Sequence, residues 1–165
     1  MRVQRLFRHL LMPHWWVSRA FDRQTLRAIE SAVADSERHH RGELRFVVEG
    51  LLPVGHLMRD VSTRQRAVEL FSALRIWDTA ENSGILIYVQ LADRRVEILA
   101  DRGIAARVSQ AAWDAICRDM ERAFKTGDYR GGALQAIARA GALLQEHFPA
   151  TGANPNELPD RPQVL

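Results

Sequence analysis

Residues 83–104 read SGILIYVQLADRRVEILADRGI and contain two short apolar runs separated by charged residues. Every position of residues 85–89 is apolar, which is typical of a strand covered on both faces of a sheet. Residues 95–100 alternate apolar with charged side chains, which is typical of a strand nearer the edge. The short gap between the runs excludes a helical crossover, so the stretch predicts a tight antiparallel hairpin.

The flanking sequence predicts helices before and after this hairpin. Apolar residues recur at helical spacing in residues 22–40, 62–74, 109–126 and 129–147, and residues 43–49 alternate as a further strand. Asp22 is the predicted N-cap of the first helix, and His39 and His40 are expected at its solvated end. The order of these elements predicts an α/β fold: a three-layer α/β/α sandwich with a small mixed β-sheet, in which the first two strands are parallel.

Length and composition predict one domain with two appendages. The chain has 165 residues, 47% hydrophobic and 26% charged, which is enough for a core of its own. We predict a basic, aromatic arm over residues 1–21, the α/β/α domain over residues 22–148, and a disordered proline-rich tail over residues 149–165. The single Cys117 excludes an internal disulfide and favours a reducing, cytoplasmic location.

Several classes of function are disfavoured by the sequence. We find no nucleophile elbow, Walker loop or glycine-rich dinucleotide fingerprint, so no organic cofactor is expected. No stretch approaches the roughly 18 apolar residues of a membrane-spanning helix, and no signal peptide is evident. The basic residues of the arm do not continue as a patch through the rest of the chain, so we expect no nucleic-acid partner.

Four oxygen-bearing side chains are predicted to meet at one end of the hairpin. If the third strand runs back along the second, Asp101 lies beside the start of the second strand, where Asp78, Glu81 and Asn82 are found. Their oxygens suit a hard divalent cation such as calcium or magnesium, and such a site suits phosphate chemistry. The alternative is that these residues only form turns, in which Asp and Asn are common.

Asp93 lies at the other end of the hairpin, in the turn between the two strands. With Arg94 it is expected to form a turn with a surface ion pair. It is also a candidate metal ligand, although it is separated from the other four side chains.

The arm combines four arginines with leucine, phenylalanine and tryptophan and contains no acidic residue. This mixture is typical of segments that bind at membrane interfaces or in acidic grooves. We therefore expect a protein partner, and peripheral contact of residues 1–21 with the inner membrane. The alternative is that the aromatic side chains fold back and cap the core of the domain.

Residues 77–104 (WDTAENSGILIYVQLADRRVEILADRGI) and residues 113–137 (WDAICRDMERAFKTGDYRGGALQAI) resemble the TPM-domain family. The resemblance covers residues 22–148. Within the family, the chain is similar to a short bacterial, cytoplasmic-type branch whose members begin with an arm of the HLLMPHWW kind. It implies an α/β/α sandwich. Some members are described as acid phosphatases, some as binding divalent metal, and others as accessory factors of membrane complexes. Many relatives have a glycine-rich GxGL after the third strand, whereas this chain has DRGI at residues 101–104, which adds a carboxylate.

Two functional hypotheses follow. The first is a non-catalytic or weakly catalytic interaction module that acts at a membrane-associated protein complex and docks through its arm. The second is a metal-dependent acid phosphatase. Its leading metal ligands are Asp78, Asn82 and Asp101, with Glu81 and Asp93 as further candidates.

Overall fold

The computed structural model describes residues 2–13, 15–152 and 154–165. In chain order its elements are α1 (Arg2–Leu11), α2 (Trp15–Ala20), α3 (Arg23–Glu37), β1 (Glu43–Glu49), α4 (Val54–Met58), α5 (Thr63–Ala73), β2 (Gly84–Gln90), β3 (Arg95–Ala100), α6 (Arg102–Ala105), α7 (Gln110–Lys125), α8 (Tyr129–His147) and β4 (Gln163–Val164). The two strands predicted over residues 43–49 and 95–100 have those same limits.

The four strands form one mixed sheet in the order β3-β2-β1-β4. β1 and β2 are parallel, with Leu44 opposite Ile85, and β2 and β3 are antiparallel, with Ile87 opposite Ile98. Every residue of β2 is buried because the strand is central and helices cover both of its faces. The predicted hairpin, with its third strand at the sheet edge, is confirmed.

Alternation along the strands divides the core between two layers of helices. Phe46 and Ile87 belong to the larger core, which the sheet shares with α3, α7, α8 and the end of the arm. Val47 and Tyr88 belong to a smaller core shared with α5. The chain therefore has the predicted α/β fold, with helices on both faces of a small mixed sheet.

The tail differs from its predicted disorder, because its described residues are bound to the edge of the sheet. β4 pairs in parallel with β1, with Gln163 opposite Val47. Leu158 is buried, and its amide donates to Glu43 Oε2 over 3.0 Å. The Asn154 side chain donates to two backbone carbonyl oxygens at the end of α3. These partners are supplied by the folded domain, so the tail needs no apolar periodicity of its own.

Three titratable groups are buried where the tail crosses the end of α3. Burial and the neighbouring Glu43 carboxyl raise the pKa of Glu37 to about 9, and burial raises the pKa of Glu43 to about 7. His40 is fully buried, and burial lowers its pKa to about 4. The expectation of a solvated helix end at His40 is therefore wrong: its ring contacts Ser36 Oγ and the Gly42 carbonyl oxygen.

Candidate functional site

The loop before β2 lies against the residues that follow β3. The Asp101 amide donates to the Gly84 carbonyl oxygen, and the Gly103 amide donates to the Asn82 carbonyl oxygen, each over 2.9 Å. A Cβ atom at Gly103 would lie 2.3 Å from the Glu81 carbonyl oxygen, so only glycine fits this approach. These contacts bring Glu81, Asn82 and Asp101 together, and we refer to these three residues as the acidic end.

Arginines hold part of the acidic end. Arg41 lies 2.8 Å from Glu81 Oε1, and Arg102 Nε donates to Asn82 Oδ1 over 3.2 Å. Asp101 is the N-cap residue of α6, and its Oδ1 accepts from the Arg102 amide. The second oxygens of the two carboxylates, Glu81 Oε2 and Asp101 Oδ2, are buried without a hydrogen-bond partner. The cluster thus has two unpaired oxygens beside two fixed cations.

Asp78 is more exposed than the acidic end and pairs with another arginine. Its Oδ2 atom lies 2.8 Å from Arg75 NH2, and about half of its side chain is open to solvent. Within the described ranges, no three histidine, cysteine, aspartate or glutamate side chains are arranged to hold a metal ion. A cation at the acidic end would therefore depend on the amide of Asn82 and on movement of the neighbouring arginines.

Asp93 lies at the opposite end of the hairpin and binds the arm. Arg5 donates to both carboxylate oxygens at 2.7–3.1 Å, and His9 Nε2 lies 3.2 Å from Oδ1. Because the Leu52 amide donates to His9 Nδ1, we assign the ring proton to Nε2, where it donates to Asp93. The expected surface ion pair with Arg94 is wrong: the Asp93 side chain is only 7% exposed, and its cation is Arg5.

The surroundings of Asp93 keep it ionised. Burial alone would raise its pKa, but the hydrogen bonds from His9 and Arg5 and the charge of Arg5 outweigh burial and lower the pKa to about 2. Arg5 also donates to the Val61 carbonyl oxygen, so the guanidinium ties the arm to two segments of the domain. We refer to Arg5, His9 and Asp93 as the arm latch.

The arm latch fixes α1 with its polar side inward and its apolar side outward. His9 is buried and Arg5 is half-buried, whereas five apolar side chains of α1 are 37% to 76% exposed. These five are Val3, Leu6, Phe7, Leu10 and Leu11, and we refer to them as the outer face. An apolar stripe normally faces the core of its own domain. The orientation of α1 is the reverse, and sequence periodicity alone does not predict it.

The end of the arm packs on the core. Phe21 is 2% exposed, and its ring centroid lies 5.9 Å from that of Phe124 and 5.7 Å from that of Tyr129. The interpretation that arm aromatics cap the core therefore applies to Phe21 and in part to Trp16, which packs half-buried against the same core, while the outer face stays exposed.

A buried polar network at the carboxyl ends of β1 and β2 was missed by the sequence analysis. Arg66 of α5 donates to both oxygens of Glu49 at 2.7–3.2 Å, and the Tyr88 hydroxyl donates to Glu49 Oε2. Burial, together with the Glu49 charge, raises the pKa of Tyr88, so its hydroxyl stays protonated. One signal was available: Arg66 lies four residues before the buried Leu70 and therefore on the same side of α5. A cation buried on that side requires an acid as its partner.

The architecture is that of an α/β domain with a parallel strand pair, an antiparallel hairpin and an acidic cluster beside it. A family model for the TPM domain matches residues 18–143, more than half of the chain, so this chain belongs to the TPM-domain family. Among solved structures it is similar to the NMR structure of the BA42 protein from the psychrophilic bacterium Bizionia argentinensis. The sequence identity is 29% and the TM-score 0.76, over 86% of this chain and 93% of that chain. No curated protein matches the chain.

The comparisons confirm the family and the fold that the sequence predicts. Among the helices of the described residues, none combines the length and apolar character needed to cross a bilayer.

Proposed function

We propose that this TPM domain is an interaction module that acts at a membrane-associated protein complex and docks there by placing its outer face on an anionic lipid surface. The observation that carries the proposal is the reversed orientation of α1. Five apolar side chains on a helix that is already bound to its domain remain exposed to water. An exposed apolar patch of this kind on a soluble domain marks a surface for a further partner.

The charge of the arm favours lipid as that partner. Residues 1–21 contain no Asp or Glu, and Arg8 and Arg19 are exposed. Helices with leucine and phenylalanine on one side and arginine nearby lie in the interface between headgroups and acyl chains. Each arginine near an anionic surface adds about 1 kcal/mol of attraction. A surface docked in this way requires no membrane-spanning helix.

The arm latch supports the same proposal because it holds the outer face outward. Rotating α1 to bury Phe7 and Leu10 would withdraw Arg5 from the buried Asp93 carboxylate. An uncompensated buried charge costs several kcal/mol, so α1 cannot shield its apolar side in this way without a large loss of stability.

Vesicle flotation tests the proposal. The chain is expected to float with vesicles that contain an anionic phospholipid, and to float less with zwitterionic vesicles or at high salt. The triple variant Phe7→Ser, Leu10→Ser, Leu11→Ser is expected to lose more than tenfold in vesicle affinity. Each apolar side chain contributes roughly 1.5–3 kcal/mol when fully covered, and a loss of about 1.4 kcal/mol already corresponds to a factor of ten.

A matched control is the triple variant Val54→Ser, Met58→Ser, Val68→Ser. These side chains are apolar and at least half exposed, but they lie outside the arm. The control is expected to float like the wild type. Failure of the wild-type chain to float with anionic vesicles would overturn lipid docking. If the arm then recovered a protein in a pull-down, the outer face would be assigned to a protein partner instead.

A second candidate is a divalent metal site at the acidic end that serves phosphate chemistry. The two buried, unpaired oxygens of Glu81 and Asp101 favour it, because buried acceptors need a partner. With Asn82 they form an oxygen set suited to calcium or magnesium. Such a metal would polarise a phosphate oxygen. Asp78 could join only by leaving Arg75, and Asp93 lies apart, bound to Arg5.

Titration with Ca²⁺ and Mg²⁺, followed by amide NMR, tests this candidate. Saturable shifts are expected in residues 78–83 and 101–104, with a Kd of about 10⁻⁴–10⁻³ M. Asp101→Ala should abolish them, whereas Arg102→Ala should tighten binding because it removes the cation that occupies Asn82 Oδ1. If no localised shifts appear at millimolar metal, the residues of the acidic end bind no metal and act only as turn and cap residues. Hydrolysis of an aryl phosphate that is insensitive to Asp101→Ala would exclude catalysis at the acidic end.

A further inference from the structure

We infer that this protein binds a small organic anion with an aromatic or aliphatic body, in a cavity between the hairpin turn, the arm and the start of α8. The cavity has a volume of about 370 Å³, within the roughly 300–1,000 Å³ of small-molecule sites. An apolar wall is formed by Trp16, Phe124 and Tyr129, and a polar wall includes Arg94, Lys125 and Glu121. We refer to it as the hairpin cavity; the acidic end lies at the opposite end of the hairpin.

Three aromatic rings from three elements form the apolar wall. Trp16 comes from α2, Phe124 from α7 and Tyr129 from α8, and all three are half-buried. The centroids of Phe124 and Tyr129 are 5.0 Å apart, and the buried ring of Phe21 packs against both. Two of the three rings are therefore held in place from behind by Phe21, and Trp16 packs against the larger core, so a ligand meets a preorganised aromatic surface.

The polar wall carries a surplus of positive charge. Three of its residues are cations, Arg94, Arg95 and Lys125, and one is an anion, Glu121. Glu121 is already engaged: Oε1 accepts from the Val96 amide at 3.0 Å, and Oε2 lies 3.7 Å from Arg95. In the part of the chain that the structure describes, neither Arg94 nor Lys125 forms an ion pair.

These two walls define the ligand class. Arg94 and Lys125 are exposed and have no ion-pair partner among the described residues, so an anionic group gains an attraction beside them that a neutral aromatic molecule lacks. An inorganic anion, in turn, would leave the three rings uncovered. A ring or chain beside Trp16 with one carboxylate, phosphate or sulfonate group at Arg94 and Lys125 satisfies both walls, because a guanidinium binds such oxygens in a bidentate manner. The hairpin cavity also lies at the carboxyl end of β2, whose Val89 and Gln90 line it, and ligands of open α/β sheets bind outside the carboxyl ends of strands.

Two dyes with one skeleton test the assignment: anilinonaphthalene sulfonate, which is anionic, and phenylnaphthylamine, which lacks the sulfonate and is neutral. Saturable fluorescence enhancement is expected for the anionic dye. The variant Arg94→Gln, Lys125→Gln should weaken the anionic dye about tenfold and leave the neutral dye within about twofold. Trp16→Ala should weaken both dyes, because it removes part of the aromatic wall.

Two controls locate the binding. Arg38→Gln, Arg118→Gln removes the same charge from exposed positions outside the cavity and should leave both dyes unaffected. The outer-face triple variant of the vesicle experiment should also retain dye binding, so the two proposals can fail separately. Amide shifts should cluster at residues 124–129. Amide shifts confined to residues 3–11 would overturn the assignment of the ligand to the hairpin cavity. An equal loss of affinity for the anionic dye in the cavity charge variant and in the control charge variant would also overturn it.

Discussion

Replacing Glu49 by alanine is expected to lower the free energy of unfolding by about 3–5 kcal/mol, the usual loss when one partner of a buried ion pair is removed. The Glu49 side chain is 2% exposed and accepts from both Arg66 and Tyr88. Without it, a guanidinium and a phenol keep their desolvation cost and lose their acceptor. Urea unfolding followed by circular dichroism measures the change, and the slope of the transition should stay the same.

Glu69→Ala is the matched control for Glu49→Ala. Glu69 also contacts Arg66, at 3.2 Å, but its side chain is 46% exposed. Its removal should cost about 0–1 kcal/mol, as for other exposed pairs. The triple variant Glu49→Met, Arg66→Met, Tyr88→Phe should recover much of the loss, because it leaves neither a buried charge nor a buried hydroxyl without an acceptor. A loss below about 1 kcal/mol for Glu49→Ala would show that water or a rearranged partner satisfies Arg66.

The elements that could be predicted are those whose burial follows from a local pattern of apolar and polar residues in the sequence. β2 is continuously apolar because helices cover both of its sides. Apolar residues recur at every second position in residues 44–48 and 96–98 because that side of β1 and of β3 faces the larger core. The other side of β1 is buried as well, at Val47 and Glu49, which its alternating pattern does not predict. Asp22 accepts a hydrogen bond from the Thr25 amide at 2.7 Å, as an N-cap residue does. The proximity of Asp101 to residues 81–82 follows from the antiparallel register of β2 and β3 and needs no further information.

The remaining features depend on partners that are distant in sequence. Arg5 and Asp93 are 88 positions apart, so periodicity shows that α1 is amphipathic but not which side faces the domain. Asp93 decides this by binding the polar side. Leu158 has no apolar pattern around it, and its place is set by Glu43, 115 positions earlier. The sequence around each residue does not indicate such pairs, because a charged or polar residue is predicted to be exposed unless its partner is known.

Stability is expected to fall as the pH rises from about 6.5 to about 9. Glu37 and Glu43 have folded-state pKa values of about 9 and about 7, both raised by burial above the ordinary 4.5. Between the ordinary and the raised pKa the folded state holds protons that the unfolded chain has lost, so the free energy of unfolding decreases with pH. His40, lowered to about 4 by burial, acts oppositely, but only below its ordinary 6.5. Above that pH the two carboxyls determine the slope.

Thermal and urea unfolding at several pH values across this window measures the slope, which should approach about 1.4 kcal/mol per pH unit for each proton involved. Glu37→Gln, which keeps an acceptor for the Leu44 amide, should flatten the curve above pH 7, and Glu146→Gln on the exposed side of α8 should not. Because an ionised Glu43 is buried and is repelled by Glu157 and Asp160 of the tail, the same pH rise should weaken the tail, seen as faster hydrogen exchange at residues 154–165 after correction for intrinsic rates. A steep dependence of stability on pH, with unchanged hydrogen exchange in the tail, would mean that the ionising groups lie elsewhere in the core. Stability of the wild type that does not change with pH would mean that both carboxyls are already ionised at pH 6.5.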